Sequence, residues 1–333
     1  MPVALGVNGF GRIGRTVLRA LIASGRDDLK VVAINDPAPI DTCAHLLEFD
    51  SVHGRLGREV VVRGTTIDAG TGPIRVSHEM APEKVDWTGV DIVLECTGAF
   101  RDPALALRHL DGGAGKVLIS APAEGAGAPT VVFGINHDSL RGDDRIVSNA
   151  SCTTNCLVPV AQALHAAFGI RHGHMTTVHS YTGNQPVHDR AHADLYRARA
   201  AGMSMIPTST GAADTMALVL PDLAGRITGT AIRVPAPNVS CIDLVVELDR
   251  ATSTAEVNDA LRAAAEAQPR ILGLTTRKLV SRDFAGDARS AIIASDQTHV
   301  QNGTQARVLA WYDNEWAFSN RMLDTAAAMA AAP

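Results

Sequence analysis

Three things are scarce in this 333-residue sequence: charge of one sign, long apolar runs and paired cysteines. Thirty Lys and Arg stand against 35 Asp and Glu, a formal charge of −5, and no basic run occurs, which argues against a nucleic-acid surface. No apolar run approaches the roughly 20 residues that cross a bilayer, so no membrane role is expected. Five cysteines, an odd number without Cys-x-x-Cys spacing, exclude a disulfide framework. The chain begins with an apolar run from Val3 and no basic leader, so a cytoplasmic protein is expected. With 46% hydrophobic and 20% charged residues, this is an ordinary globular composition, long enough for two cores.

What is present begins with a strand-like run, residues 3–8, leading into Gly9-Phe10-Gly11-Arg12-Ile13-Gly14 and then into helical spacing at Val17, Leu18, Leu21 and Ile22. In that setting the glycines allow a tight turn and let the backbone approach a pyrophosphate at a helix N-terminus. A second strand, Lys30 to Asp36, ends in an acid about 20 residues on, where a ribose 2′-hydroxyl is held. Asp36 would repel a 2′-phosphate, which favours NAD over NADP. Further strands are expected at 59–62, 74–76, 90–96, 116–120, 130–133 and 145–148, with a helix over 103–110. Several are continuous apolar runs, as in a mainly parallel sheet covered on both faces. Ligands lie beyond the carboxyl ends of such strands, so Thr97, Gly98 and Ser120 are expected at the cofactor crevice, with a loop residue bonding its own backbone as the alternative for Ser120.

Ser151-Cys152-Thr153-Thr154-Asn155-Cys156 follows one of these strands and opens a helical pattern through Leu157, Val160, Leu164 and Phe168. A cysteine at the positive end of a helix is a candidate nucleophile with a lowered thiol pKa. The texture then changes. Strands are expected at 175–182, 227–234, 242–248, 290–294 and 307–312, and helices at 211–220, 254–267 and 316–332, an α+β mixture. Ser253 and Thr254 are candidate caps of the second helix. The long polar stretch from Tyr181 to Pro207 holds Arg190, Arg197, Arg199, His188 and His192, and a loop of that length is usually functional. The expected organisation is a Rossmann-type α/β dinucleotide-binding domain over 1–150, joined by the C-terminal helix 316–333, and an α+β catalytic domain over 151–315.

Among twelve histidines, His179 is the natural partner for Cys152, since a neutral imidazole takes the thiol proton and then holds the thiolate. Arg197 and Arg233 lie near hydroxyls and glycines, the chemistry that binds phosphate. Structural ion pairs with Asp194 or Asp222 are the alternative for both. His172 and His174 are too isolated from other ligand types to suggest a metal site.

These landmarks together resemble the phosphorylating glyceraldehyde-3-phosphate dehydrogenase family over essentially the whole chain: GFGRIGR from Gly9, IND ending at Asp36, EFDSVHGR from Glu48, SNASCTTNC ending at Cys156, VHSYTG from Val178, DLYRARAA from Asp194, IPTSTGAA from Ile206, RVPAPNVS from Arg233 and WYDNEWAFSNR from Trp311. The resemblance implies Cys152 as nucleophile and His179 as its activator. It implies an inorganic-phosphate subsite of Ser151, Thr153, Arg197, Thr210 and Gly211, and a substrate-phosphate subsite of Thr182 and Arg233. It further implies NAD contacts from Arg12, Ile13, Asp36, Ser120 and Asn314, with Met80 where an arginine often gives a backbone contact near the adenine. Glyceraldehyde 3-phosphate and inorganic phosphate are the implied substrates, and a homotetramer the implied assembly. Asn184, Tyr196 and Phe318 depart from the common Asp, Arg and Tyr of the family, and none of them does covalent chemistry. Erythrose-4-phosphate dehydrogenase, a hydrolysing relative, and a binding paralogue without activity are the alternatives. The first departs from the family at Thr182 and at Thr208 to Gly211, and the second is disfavoured by intact Cys152, His179, Arg233 and Asp36.

Overall fold

The computed structural model describes every residue, Met1–Pro333, and the chain divides into two compact units. The first comprises Met1–Ser151 with Ser319–Pro333, and the second Cys152–Phe318.

In the first unit, β1 (Val3–Asn8) leads into α1 (Arg12–Ser24), and β2 (Leu29–Asn35) into α2 (Ile40–Glu48). Next come a small ribbon, β3 (Phe49–Asp50) with β4 (Gly54–Arg55), and then β5 (Val61–Arg63), β6 (Thr66–Asp68), β7 (Ile74–Ser77) and β8 (Ile92–Glu95). Two short helices, α3 (Pro103–Ala106) and α4 (Arg108–Asp111), precede β9 (Lys116–Ile119) and β10 (Ile146–Ser148). The sheet runs β10-β9-β8-β1-β2-β7-β6-β5. From β10 to β7 every pairing is parallel, and β7-β6-β5 closes the edge as an antiparallel meander. All four residues of β8 are buried, as a central parallel strand covered on both faces requires. Trp87, Val93, Val117 and Ala106 anchor one side of this core.

The expected strand over 130–133 does not form; a single bridge joins Thr130 to Ser148. Asn136 is the reason. Its side-chain oxygen takes the Val132 N–H and its amide donates to the Thr130 carbonyl, so a side chain replaces the neighbouring strand.

In the second unit α5 (Cys152–Phe168) precedes β11 (Ile170–Ser180), β12 (Ile206–Ser209), α6 (Ala212–Val219), β13 (Ile227–Val234), β14 (Ser240–Leu248) and α7 (Thr254–Ala267). Strands β15 (Leu272–Thr275), β16 (Ala291–Ala294), β17 (His299–Gln301) and β18 (Gln305–Tyr312) complete the sheet, and α8 (Trp316–Ala331) carries the chain back into the first unit. The sheet order is β12-β13-β11-β14-β18-β16-β15, with β17 on β18. β11 pairs parallel with β13 and antiparallel with β14, and α5 buries Leu157, Val158, Val160, Ala161 and Leu164. Pro159 inside α5 removes the hydrogen bond that residue 159 would give to the Asn155 carbonyl, and the buried apolar face holds the helix together across that gap. No regular element occupies 181–205.

α7 starts with a reciprocal cap: the Ser253 hydroxyl accepts from Glu256 N–H, and the Glu256 carboxylate accepts from Ser253 N–H. Ser253→Ala is therefore expected to lower unfolding stability by about 0.5–2 kcal/mol with turnover unchanged, read from urea denaturation midpoints.

Candidate active site and dinucleotide-binding elements

Register brings the reactive groups of the second unit together. His179 of β11 lies opposite Arg233 of the parallel β13, and Arg233 lies opposite Ile206 of β12. Neighbours in register on paired strands share a face, so the imidazole and guanidinium meet. The Cys152 sulfur, on the first residue of α5, lies 3.5 Å from His179 Nε2. His179 Nδ1 is 2.7 Å from the Ser180 carbonyl oxygen and 2.9 Å from Arg233 Nη1, and Arg233 Nη1 also donates to Ser180 O at 3.1 Å. A carbonyl only accepts and a guanidinium only donates, so the two contacts make opposite demands on Nδ1; the shorter one, to Ser180 O, favours the tautomer with its proton on Nδ1, with Arg233 also donating to Ser180 O. Nε2 is left with its lone pair toward the thiol.

His179 is buried and Cys152 partly so. Burial, then the Arg233 cation, push the imidazole down to about 3. Burial also raises the Cys152 thiol, against the pull of Arg233 and Thr153. The lowered thiol expected from the helix terminus is thus corrected for the resting pocket, in which desolvation outweighs the helix start and the cation. A neutral thiol facing a neutral imidazole is the result.

Arg233 touches no carboxylate. It donates to the Ser180 carbonyl and lies 2.9 Å from His179 Nδ1, its buried Nε has no partner, and burial lowers its pKa. Arg197 differs, because its Nε donates to Thr208 Oγ1 at 2.8 Å and lies 3.4 Å from Asp194. The ion-pair alternative therefore describes Arg197 in part and Arg233 not at all. Thr210 and Gly211 stand just before α6, whose first turn follows the Thr210 hydroxyl bond to Ala212 N–H. A Cβ on Gly211 would meet nothing within 4 Å, so the space beside it is open. Thr153 is buried, its hydroxyl 2.9 Å from Tyr312 OH, which also lies 2.9 Å from Thr177 Oγ1. Thr182 lies two residues beyond the end of β11, and Asn184 lines a small cavity with Gln185, Arg190 and His192. Tyr196 is exposed and Phe318 buried.

The dinucleotide elements lie in the first unit. Gly9 has φ +87° and a Cβ on it would stand 2.7 Å from Thr97 N, while a Cβ on Gly14 would stand 2.2 Å from the Gly9 carbonyl. Gly11, by contrast, opens on free space before α1, which has no side-chain cap and no acid in its first turn. Such a terminus fits a pyrophosphate. Arg12 bonds Asp50 through its guanidinium, and Ile13 follows it in the first turn, where N–H groups lack intrahelical acceptors. Each Asp36 oxygen accepts one backbone N–H, from Phe10 and Ala38, and keeps further lone pairs for ribose hydroxyls. Met80, 76% exposed, follows β7, and Thr97 with Gly98 follows β8. Ser120 follows β9. Asn314 falls in the second unit, its oxygen accepting from Ser180 Oγ (2.9 Å) and Ser240 Oγ (3.1 Å), which turns its amide N–H₂ away from both serines.

Tyr312, Ser180 and Ser240 were not anticipated. Tyr312 carries no motif of its own, and the one available signal was its place two residues before Asn314 on a strand end.

Two family profiles match: "Glyceraldehyde 3-phosphate dehydrogenase, NAD binding domain" over residues 3–103 and "Glyceraldehyde 3-phosphate dehydrogenase, C-terminal domain" over residues 151–314. Similar proteins named glyceraldehyde-3-phosphate dehydrogenase include that of Xanthobacter flavus, 58% identical over 332 residues, and that of Cereibacter sphaeroides, 56% identical over 330, each covering 99% of both chains. That of Geobacillus stearothermophilus is 50% identical over 334 residues, again covering 99% of both.

The buried neutral His179 has a consequence for stability. Its folded pKa of about 3 lies below the roughly 6.5 of an unfolded histidine, so between these values the unfolded chain binds a proton that the folded chain does not. Stability from this group is present above about pH 6.5 and is lost as pH falls toward 3. Between about pH 7.5 and about pH 5, His179→Asn is expected to lose less stability than wild type, measured by urea midpoints at both.

Proposed function

The chain belongs to the glyceraldehyde-3-phosphate dehydrogenase family and is an NAD-dependent oxidoreductase, and from that premise we propose that it oxidises glyceraldehyde 3-phosphate with inorganic phosphate to 1,3-bisphosphoglycerate. The observation that carries the reading is the 3.5 Å approach of the Cys152 sulfur to a lone-pair Nε2, beside an arginine with no acid partner.

The reaction begins when His179 Nε2 takes the thiol proton and the sulfur adds to the aldehyde carbon. The resulting alkoxide of the hemithioacetal is held by the Nε2–H just formed and by N–H groups at the start of α5. Bound NAD supplies the acceptor for the hydride that leaves this carbon. The thioester on Cys152 is then attacked by inorganic phosphate, and the sulfur leaves with the acyl phosphate released. Arg233 and Thr182 hold the substrate's phosphate, while Ser151, Thr153, Arg197, Thr210 and Gly211 receive the incoming one. Asp36 sets the preference for NAD, with Gly9, Gly11, Arg12, Ile13, Gly14, Met80, Thr97, Gly98, Ser120 and Asn314 completing the contacts. We assign the protein to the cytoplasm as a homotetramer. Val187, Leu195, Met203 and Met205, exposed on the long loop, supply the apolar surface that association covers.

NADH formation from glyceraldehyde 3-phosphate and NAD is expected to require inorganic phosphate and to exceed that with NADP or with erythrose 4-phosphate. Turnover indifferent to phosphate would assign a hydrolysing enzyme instead. Cys152→Ser should abolish turnover. His179→Asn should lower kcat by about 10²–10⁴-fold and shift alkylation of Cys152 by iodoacetamide to higher pH. Arg233→Gln is expected to raise KM for the phosphorylated substrate by about tenfold or more, in steady-state assays.

A further inference from the structure

Beneath the dinucleotide loop of the first unit lies a polar network that the chemistry above does not use. Its centre is Glu95, 1% exposed at the end of β8. One carboxylate oxygen accepts from Asn8 Nδ2 at 2.6 Å and from His109 Nε2 at 2.9 Å. The other accepts from the Thr97 N–H at 2.8 Å and from the Thr97 hydroxyl. Trp87 Nε1 lies 3.0 Å from His109 Nδ1. An indole nitrogen only donates, so His109 Nδ1 is the acceptor and the ring hydrogen sits on Nε2, aimed at Glu95. Edge contacts with Trp87 and Phe100, ring centres 5.7 and 6.2 Å away, restrain the imidazole further. Four donors thus surround a buried carboxylate.

The network reaches outward through Asn8, whose oxygen accepts from Asn35 Nδ2 at 2.8 Å. Asn35 in turn accepts from Ser77 Oγ and Glu79 N–H and donates to the Glu79 carbonyl. Asn8, Asn35, Glu79 and Thr97 lie at the carboxyl ends of β1, β2, β7 and β8 or just beyond them, and each immediately precedes a residue assigned to NAD: Gly9, Asp36, Met80 and Gly98. Gly9 also packs directly on Thr97. We propose that His109, fixed by Trp87 as a hydrogen donor to the Glu95 carboxylate, is a positioning residue that holds these four strand ends in the geometry that receives the dinucleotide. The proposal rests on the reading that these ends face NAD. It explains why an acid and a histidine are kept in a core that apolar residues would otherwise fill, where a half-satisfied network would be worse than none.

The experiment measures binding of NAD and of ADP-ribose to the full chain by calorimetry. His109→Phe keeps a ring between Trp87 and Phe100 but removes the donor to Glu95. It is expected to weaken both ligands by about tenfold or more, while kcat at saturating NAD stays within about twofold of wild type. His109→Gln, which restores a donor and an acceptor, is expected to recover most of that affinity. Affinities equal to wild type in the Phe variant, with only a lowered melting temperature, would overturn the proposal and leave a purely structural role. Asp36→Ala separates the two levels: NAD affinity indifferent to that change would overturn the site reading, and this proposal with it. Should His109→Phe fail to fold, hydrogen exchange in the cofactor-free wild type decides. Deep protection of the Thr97 and Glu79 amides supports a preformed anchor, and exchange at the rate of an open loop overturns it.

Discussion

One backbone carbonyl, that of Ser180, organises the reactive end of the second unit. It lies 2.7 Å from His179 Nδ1 and accepts from Arg233 Nη1 at 3.1 Å, and the shorter contact favours a hydrogen on Nδ1 over the lone pair that the 2.9 Å approach of Arg233 to Nδ1 would use. Had Nδ1 been the lone-pair nitrogen, Nε2–H would face the Cys152 sulfur and no base would be available. Parallel pairing of β11 with β13 makes the arrangement possible, because it puts His179 and Arg233 in the same register. Adjacent hydroxyls extend it, since Ser180 Oγ and Ser240 Oγ both bind the Asn314 oxygen. A single strand end therefore orients a base, a cation and an amide.

The two arginines show how the fold separates a cation that is held from one that is held ready. Arg197 sits against Asp194 and Thr208 in a loop of modest exposure, an arrangement that contributes little by itself. Arg233 is more deeply placed, has no acid near it, and leaves a buried Nε without a partner. Keeping an uncompensated guanidinium there costs free energy, which in the proposed reaction the substrate's phosphate would return through charge-assisted hydrogen bonds. The first unit has the opposite charge arrangement, a Glu95 carboxylate surrounded by neutral donors.

Much of this was legible in the sequence because it depends on local pattern. The strand, glycine turn and helix of residues 3–24 follow from hydrophobic period and backbone freedom, and so do α5, α7 and the long loop before β12. What stayed hidden depends on tertiary partners. The helix at 40–48 has its apolar face at Cys43, Ala44 and Leu47, a stripe too short to stand out beside the strands around it. The strand expected at 130–133 failed because Asn136 intercepts its hydrogen bonds, which no period of two reveals. Tyr312 reads as one more apolar strand residue until the fold sets its hydroxyl between Thr153 and Thr177. Glu95 gave a faint signal, an acid closing a continuous apolar run, but its partners come from Asn8, Thr97 and His109.

At Cys152 the helix terminus and burial act in opposite directions on the thiol. The first N–H groups of α5 and the Arg233 charge do favour a thiolate, yet the same enclosure that brings them close strips water from the sulfur and the imidazole. Both groups are pushed toward their neutral forms, one up and the other down. Proton transfer from sulfur to Nε2 then creates a pair of charges in a site that resists them singly, so the pair is stable only as a pair. In the proposed reaction an incoming phosphate-bearing aldehyde would change that balance, because its dianion would neutralise Arg233 and remove the repulsion that Arg233 exerts on a protonated His179. On that proposal, substrate binding would raise the basicity of His179, the group proposed to accept the proton. The proposed role of the unpaired arginine is therefore to couple recognition of the anion to activation of the nucleophile.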